Sequence, residues 1–222
     1  MNLDFSIIVE YFPLFFEGFG LTIGLSALTV IFGFFLGTPI ALARMSKNKI
    51  IKFLATAYIE VIRGTPMLLQ LAIFAYGIPM AFPAIRLSAF QAGVIALSLN
   101  SAAYVAEIVR SGIQSIDKGQ MEAGRSLGLS NGYTMMKIII PQAIKNILPA
   151  LGNEFVTVVK ESAIVSTVGI MDIMMVANTI SARNFSIFEA LLFAALLYFI
   201  ITFSISKLIG YVEKRWKRHA IN

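Results

Sequence analysis

Glu154 stands in the apolar stretch "PQAIKNILPALGNEFVTV", thirteen residues past Pro141. An ionised side chain at the centre of a bilayer costs about 2.5 kcal/mol or more, so a carboxylate in such a run needs a partner or a use. Two roles fit: a structural pair with Lys145 or Lys160, or a contact to the ammonium or cationic side chain of a small substrate. Just ahead of it, Pro149 removes a backbone donor and Gly152 follows. A helix broken beside an acid is one way to build a polar cavity between spans.

A second polar set recurs farther back. Gly93, Asn100, Tyr104 and Glu107 fall at i, i+7, i+11 and i+14, which is one helical face, and Ser98 and Ser101 flank it. Asn100 can bond a carboxylate or an amide; the alternative is a hydrogen bond between helices. Glu107 and Arg110, at i, i+3, have the spacing of an ion pair. Glu60 and Arg63 share that spacing and are expected to neutralise each other. Gly64, Thr65 and Pro66 then form a kink that serves either as a gate hinge or as a fixed bend. Gln70, a turn later, is a candidate pore-lining donor.

Other chemistry is excluded by what is missing. The chain has no cysteine and one histidine, His219, so thiol nucleophiles, disulfides and multi-histidine metal sites are ruled out. No metal site and no catalytic residue is expected. The net charge of +6 does not indicate nucleic acid, because the cations cluster beside apolar runs. No basic leader with a small-residue cleavage site precedes the first apolar run, so no cleavable signal is expected.

The elements that must carry these residues are membrane spans. The chain is 58% hydrophobic and 14% charged, against about 45–50% and about 25% for soluble domains. Five apolar segments of about 20 residues or more can each cross a core of about 30 Å. They run roughly 19–43, 53–82 (interrupted by "RGTP"), 88–109, 138–160 and 187–212, in one transmembrane domain over 1–222. Arg44, Lys47, Lys49 and Lys52 follow the first span. Arg110, Lys118, Arg125 and Lys137 follow the third, and Lys214, Arg215, Lys217 and Arg218 follow the fifth. These basic segments share one side, which makes that side cytoplasmic, with the N-terminus outside and the C-terminus inside. The fold class expected is an all-α membrane protein of about five transmembrane helices. Residues 161–186 are apolar yet carry Glu161, Asp172 and Arg183. They are expected to lie at the outer interface or to pack into the protein. Gly33 and Gly37 fit close helix packing. Trp216 fits an interfacial anchor and the basic tail a contact to anionic lipid.

Between spans three and four, on the basic side, residues 117–141 form a polar loop. Asp117 can cap a helix that ends at Gly128, and a second short helix can start at Ser130 or Asn131. Such a helix–turn–helix is a rigid knob for another protein. Gly124 and Gly128, at i, i+4, leave room for close approach, and Pro141 fixes the re-entry into the bilayer.

"EAG" at 122–124, three residues, Gly128, nine residues and "IIIP" at 138–141 resemble the "EAA" loop of the inner-membrane subunits of ABC importers. That pattern is Glu-Ala-Ala, three residues, Gly, nine residues, Ile-x-Leu-Pro. Glu122, Ala123, Gly128, Ile138 and Pro141 match it; Gly124 stands for Ala and Ile140 for Leu. "IEVIRGTP", "NSAAYVAEIVRSGI" and "PQAIKNILPALGNEF" are similar to the polar amino-acid branch of these permeases. The resemblance implies a bacterial cytoplasmic-membrane importer subunit that works with a second permease, identical or related. It also implies two cytoplasmic ATPase subunits and an extracytoplasmic substrate-binding protein or domain.

ATP and Mg would sit on the ATPase partners, consistent with the absence of a G-x-x-x-x-G-K-[ST] loop in this chain. The docking set would be Glu122, Ala123, Gly124, Arg125, Gly128, Ile138 and Pro141. Substrate would meet Glu154, Asn100, Gln70, Tyr104 and Ser101. Gly64, Thr65 and Pro66 would form a hinge. Lys160 and Glu161, near the outer mouth, would gate it, receive the binding protein or simply anchor the interface. The acid in the pore favours a cationic amino acid slightly over glutamine. The alternative class is a stand-alone ion-coupled carrier or channel, with the buried carboxylates serving ions or protons. A membrane enzyme finds almost no support, since no histidine is placed to serve as base for a nucleophile such as Ser162 and no metal cluster is visible in the sequence.

Overall fold

The structure, a computed structural model, describes the backbone of residues 4–219 and the side chains of 4–215. Trp216, Lys217, Arg218 and His219, named above as anchor and basic tail, therefore lie outside the described side chains. All regular structure among the described residues is helical.

Helix α1 runs Ser6–Arg44, 39 residues, or about 58 Å at 1.5 Å per residue. It starts well before the expected residue 19. Glu10 and Glu17 interrupt the apolar pattern there without interrupting the helix. Helix α2 (Lys49–Arg63) is capped by Asn48, whose side chain accepts from the amides of Ile50 and Ile51. After Gly64 and Thr65 come α3 (Met67–Ala72), a π turn (Ile73–Gly77) and α4 (Ile78–Ala81). The second span is thus no single kinked rod: its two halves meet at 103°.

Helix α5 (Ala89–Gln114) begins with a reciprocal capping box between Ser88 and Gln91. Helices α6 (Lys118–Ser126) and α7 (Asn131–Thr134) form the polar loop. A π turn (Met135–Ile139) then runs directly into α8 (Ile140–Glu161). Pro149 lies inside α8 without ending it, so the expected broken helix beside Glu154 is not found. The space at Gly152 is taken by Ile209: a Cβ there would lie 2.6 Å from its side chain. A 3-10 segment (Ser162–Val168) and α9 (Ile173–Asn184) follow, with Asp172 capping α9 through the Met175 amide. The chain closes with α10 (Ile187–His219).

Helix α5 is the centre. Of its most apolar stretch 67% is buried, against 28% for α1 and 22% for α10. Its small residues Ala92, Ala96, Ala102, Ala103 and Ala106 are fully buried and let neighbouring backbones come close. Residues 161–186 pack into the protein: Ile173, Val176, Ala177 and Ile180 are fully buried, in one cluster with Phe15 of α1 and Ala190, Ala194 and Ile201 of α10. Asp172 is fully buried there and accepts from the Tyr198 hydroxyl at 3.1 Å.

Gly33 and Gly37 let α1 approach α5 closely. A Cβ at Gly37 would lie 2.5 Å from the Ala102 carbonyl oxygen and 2.8 Å from the Val105 Cβ. Backbone cannot retreat as a flexible side chain can, so overpacking here costs about 1–3 kcal/mol or more. Gly37→Leu is expected to lower the melting temperature of the detergent-purified protein by several degrees. Gly24→Leu, where a Cβ meets nothing within 4 Å, is the matched control and should leave it unchanged.

Candidate functional site

A polar strip runs along α5 where three other elements meet it. Asn100 is buried and its Nδ2 donates to Gln70 Oε1 at 3.1 Å. Gln70, buried on α3, turns its own Nε2 back on the bend. It donates to the Ile62 carbonyl at 2.8 Å, the Thr65 carbonyl at 3.1 Å and Thr65 Oγ1 at 2.9 Å. Helix α2 ends with carbonyls that have no intrahelical donor, and Gln70 supplies one from across the corner. Its amide is therefore a brace for the 103° bend, not the free pore-lining donor expected of it. Tyr58 holds the same unit to α5, donating to the Leu99 carbonyl at 2.6 Å.

On the other flank, Ser101 donates to Glu154 Oε1 at 2.9 Å. Glu154 is only 8% exposed. Among the described residues no ion pair joins it to Lys145 or Lys160, so the structural pairing considered for it is not formed. Lys160 and Glu161 are exposed at the end of α8. Tyr104 is half-buried, and the Arg63 guanidinium lies over its ring, 5.3 Å from the centroid.

Below Tyr104 lies a charge cluster. Arg110 donates to Glu107 Oε2 from Nε at 2.9 Å and Nη2 at 2.7 Å, the pair its spacing suggested. Arg44 of α1 meets the other oxygen of Glu107, and Arg63 approaches that same oxygen at 3.9 Å. Glu60 pairs with Arg44 at 3.4 Å. The expected Glu60–Arg63 pair is therefore replaced by partners on α1 and α5. Local spacing names a candidate, but here the long-range partners are nearer.

The loop folds as a helix–turn–helix. Asp117 caps α6 by accepting from the Gly119 amide at 2.7 Å, and Ser130 caps α7 by accepting from the Tyr133 amide at 3.2 Å. Gly128, at φ +81°, reverses the chain. Its amide bonds the Arg125 carbonyl and the Leu129 amide bonds the Gly124 carbonyl, which closes the last turn of α6. Gly124 is buried against Thr134, where a Cβ would lie 2.6 Å from Cγ2. The space at Gly124 thus serves α7 of this chain and offers no room to a partner, contrary to the expectation for it. Glu122, Ala123 and Arg125 are exposed, as is Pro141, and Ile138 is half-buried. Leu127, Tyr133 and Met136 are 79%, 54% and 63% exposed on the same knob. These three escaped the sequence reading. Exposed large apolar side chains on an otherwise polar projection were the signal.

Apolar helices of spanning length, closed around a buried polar strip and carrying an exposed helical knob, define a multi-pass membrane protein. The family described as "Binding-protein-dependent transport system inner membrane component" matches residues 29–218. The chain belongs to that family and is a multi-pass inner-membrane permease subunit. It is 39% identical over 216 residues to a probable glutamine ABC transporter permease of Bacillus subtilis (strain 168), covering 97% of this chain and 99% of that one. It is 41% identical over 217 residues to an arginine transport system permease of the same organism, covering 98% and 99%. A crystal structure of an amino acid ABC transporter with histidines contains a chain 50% identical, with a TM-score of 0.93 over 97% of this chain and all of that one. An inward-facing methionine transporter, at 19% identity and TM-score 0.72, shares the fold.

The brace at Gln70 can be tested apart from transport. Gln70→Ala takes a donor from the half-buried Ile62 and Thr65 carbonyls and leaves the buried Asn100 amide without its acceptor, at about 1–3 kcal/mol for a buried group so orphaned. Gln70→Glu does more harm, since an ionised carboxylate only accepts and would face carbonyl oxygens. Both variants are expected to melt lower than the parent, Glu below Ala, and to be cut faster around residues 62–66 in limited proteolysis. Wild-type melting in both would remove the brace.

Proposed function

We propose that this chain, as one permease domain over 1–222, is the membrane-spanning subunit of an ATP-driven importer for polar amino acids. Its relatives are named for glutamine and arginine transport. The basic ends of its spans would face the cytoplasm, with the N-terminus outside and the C-terminus inside. A second permease, identical or related, would complete the pore. Two cytoplasmic ATPase subunits would bind ATP and Mg, and an extracytoplasmic binding protein would deliver the substrate.

The helix–turn–helix of α6 and α7 is the observation that carries this reading. It is short, doubly capped, closed by Gly128 and rimmed by exposed Glu122, Arg125, Leu127 and Tyr133. Such a knob gives a nucleotide-driven partner a stiff lever with both charged and apolar grip. Ala123, Ile138 and Pro141 would set its shape and its junction with the span. Alternating access would follow from population shift: closure of the ATPase pair favours one position of the knob and so one state of the pore.

Within the pore, Glu154 would receive the positive end of the substrate, with Ser101 orienting its carboxylate. Tyr104 would form a wall, and Gln70 and Asn100 a braced polar side. A carboxylate without a cation of its own favours arginine, lysine or histidine slightly, and glutamine still fits through its α-ammonium or amide. Gly64, Thr65 and Pro66 would be the corner that moves during gating, and Lys160 with Glu161 would lie at the outer mouth.

Charge reversal on the knob tests the docking role. In proteoliposomes holding the whole complex and supplied with binding protein, Glu122→Lys is expected to cut substrate-stimulated ATP hydrolysis and uptake about tenfold or more, an energy of about 1.4 kcal/mol per decade. Unchanged coupling would remove the knob from the contact. Uptake by the permease alone, without ATPase subunits, would instead favour an ion-coupled carrier.

A further inference from the structure

Arg63 has so far been placed only in the charge cluster, yet its guanidinium lies over the ring of Tyr104, a residue of that site. Around α5, successive residues advance by about 100°. Tyr104 therefore points about 40° from Asn100, in the sector between Asn100 and Ser101. One flank of that sector is the Gln70–Asn100 pair and the other is the Ser101–Glu154 pair. Tyr104 forms its floor, one turn toward the basic end, and Arg63 lies over the ring.

The charges of this sector are unbalanced in two places. Glu154 is buried and meets a hydroxyl, not a cation. In the cluster below, three guanidiniums face two carboxylates: Arg44, Arg63 and Arg110 against Glu60 and Glu107. Arg44 and Arg110 each take an oxygen of Glu107, while Arg63 reaches it only at 3.9 Å and keeps 41% of its side chain exposed. Arg63 is thus the least committed of the three. A guanidinium held over an aromatic ring keeps N–H donors that can pair with a carboxylate.

An α-amino acid carries an ammonium and a carboxylate on one carbon. Ser101, which meets Glu154, and Tyr104, which carries Arg63, are three residues apart on α5, a backbone rise of about 4.5 Å, so the two charged groups flank neighbouring turns of one helix. We infer that Arg63, held on the Tyr104 ring, binds the α-carboxylate of the transported amino acid while Glu154 holds its α-ammonium. The inference rests on the amino-acid reading above and sharpens it. The pore would recognise the zwitterionic head that arginine and glutamine share; with Glu154 taken by the α-ammonium, the slight preference for a cationic side chain would have to arise elsewhere.

The test uses the assembled permease–ATPase complex in nanodiscs, without binding protein, and measures direct binding of L-arginine and L-glutamine against their α-amides. The parent is expected to prefer each free acid about tenfold or more, the worth of one charge-assisted contact. Arg63→Gln should lose that preference by weakening the acids and sparing the amides, and Arg63→Lys should keep part of it. Tyr104→Leu, which removes the shelf, should act like Arg63→Gln, whereas Tyr104→Phe should retain the preference. An Arg63→Gln complex that still prefers the acids, or that loses acids and amides alike, overturns the inference. If Glu154→Gln weakens binding in that same experiment, the pore reading survives and only the role of Arg63 falls. If the parent complex binds none of the four compounds, the amino-acid reading of the pore fails as well.

Discussion

A chain that breaks a helix among apolar spans must satisfy the loosened carbonyls itself, because lipid offers no donor. That constraint governs the corner between α2 and α3. Gln70 reaches back from α3 to the last turn of α2, and Asn100 fixes the other end of the same amide to α5. Tyr58 adds a third tie to α5 through the Leu99 carbonyl. The corner is therefore braced on both arms. Any motion at Gly64–Pro66 has to exchange these bonds together, which favours two discrete arrangements over a soft hinge.

The same residues that let helices approach also bring polar groups to one place. Gly33 and Gly37 admit the α5 backbone against α1, and Gly33 leaves room for the Ser101 hydroxyl: a Cβ there would lie 2.8 Å from its Oγ. With a larger residue at 33, Ser101 could not hold the orientation in which it meets Glu154. Close packing and the placement of the buried carboxylate are thus one structural fact. In a bilayer this is economical chemistry, since helix association there depends on close contact and interhelical hydrogen bonds more than on apolar burial.

Much of this was legible where the causes are local. The spans show as apolar length, and the knob shows as Asp117, Gly128 and Ser130 at capping positions. Glu107–Arg110 follows from i, i+3 spacing. What escaped the sequence depends on partners far along the chain. Pro66 marks a lost donor, but the bonds that hold the 103° bend come from Gln70 and Asn100, eight and 38 residues beyond Ile62. Arg63 looks paired with Glu60 until α1 and α5 bring Arg44 and Glu107 closer. Gly124 resembles a surface accommodation for a partner until Thr134 of the same chain occupies it. Pro149 suggests a break, yet a proline within α8 leaves the neighbouring turns intact and tertiary packing holds the rod.

That rod connects the two ends of the molecule. From Asn131 through the π turn to Glu161 the helix runs without an intervening loop. Tyr133 on the knob and Glu154 beside α5 are thus separated by helix alone, about 31 Å at 1.5 Å per residue. Near its basic end the rod is tied to α5 where Asn146 donates to Ser115 at 2.8 Å and Ile147 fills the space at Gly112. A force on the knob therefore cannot be absorbed in a flexible connection. It must turn the rod about that tie, compress the π turn, or carry Glu154 across Ser101. The π turn interrupts the i, i+4 hydrogen-bond ladder between the knob and that tie. Under the proposed docking of the knob, a movement of α6 and α7 would pass through this turn and the tie before it reached the buried carboxylate.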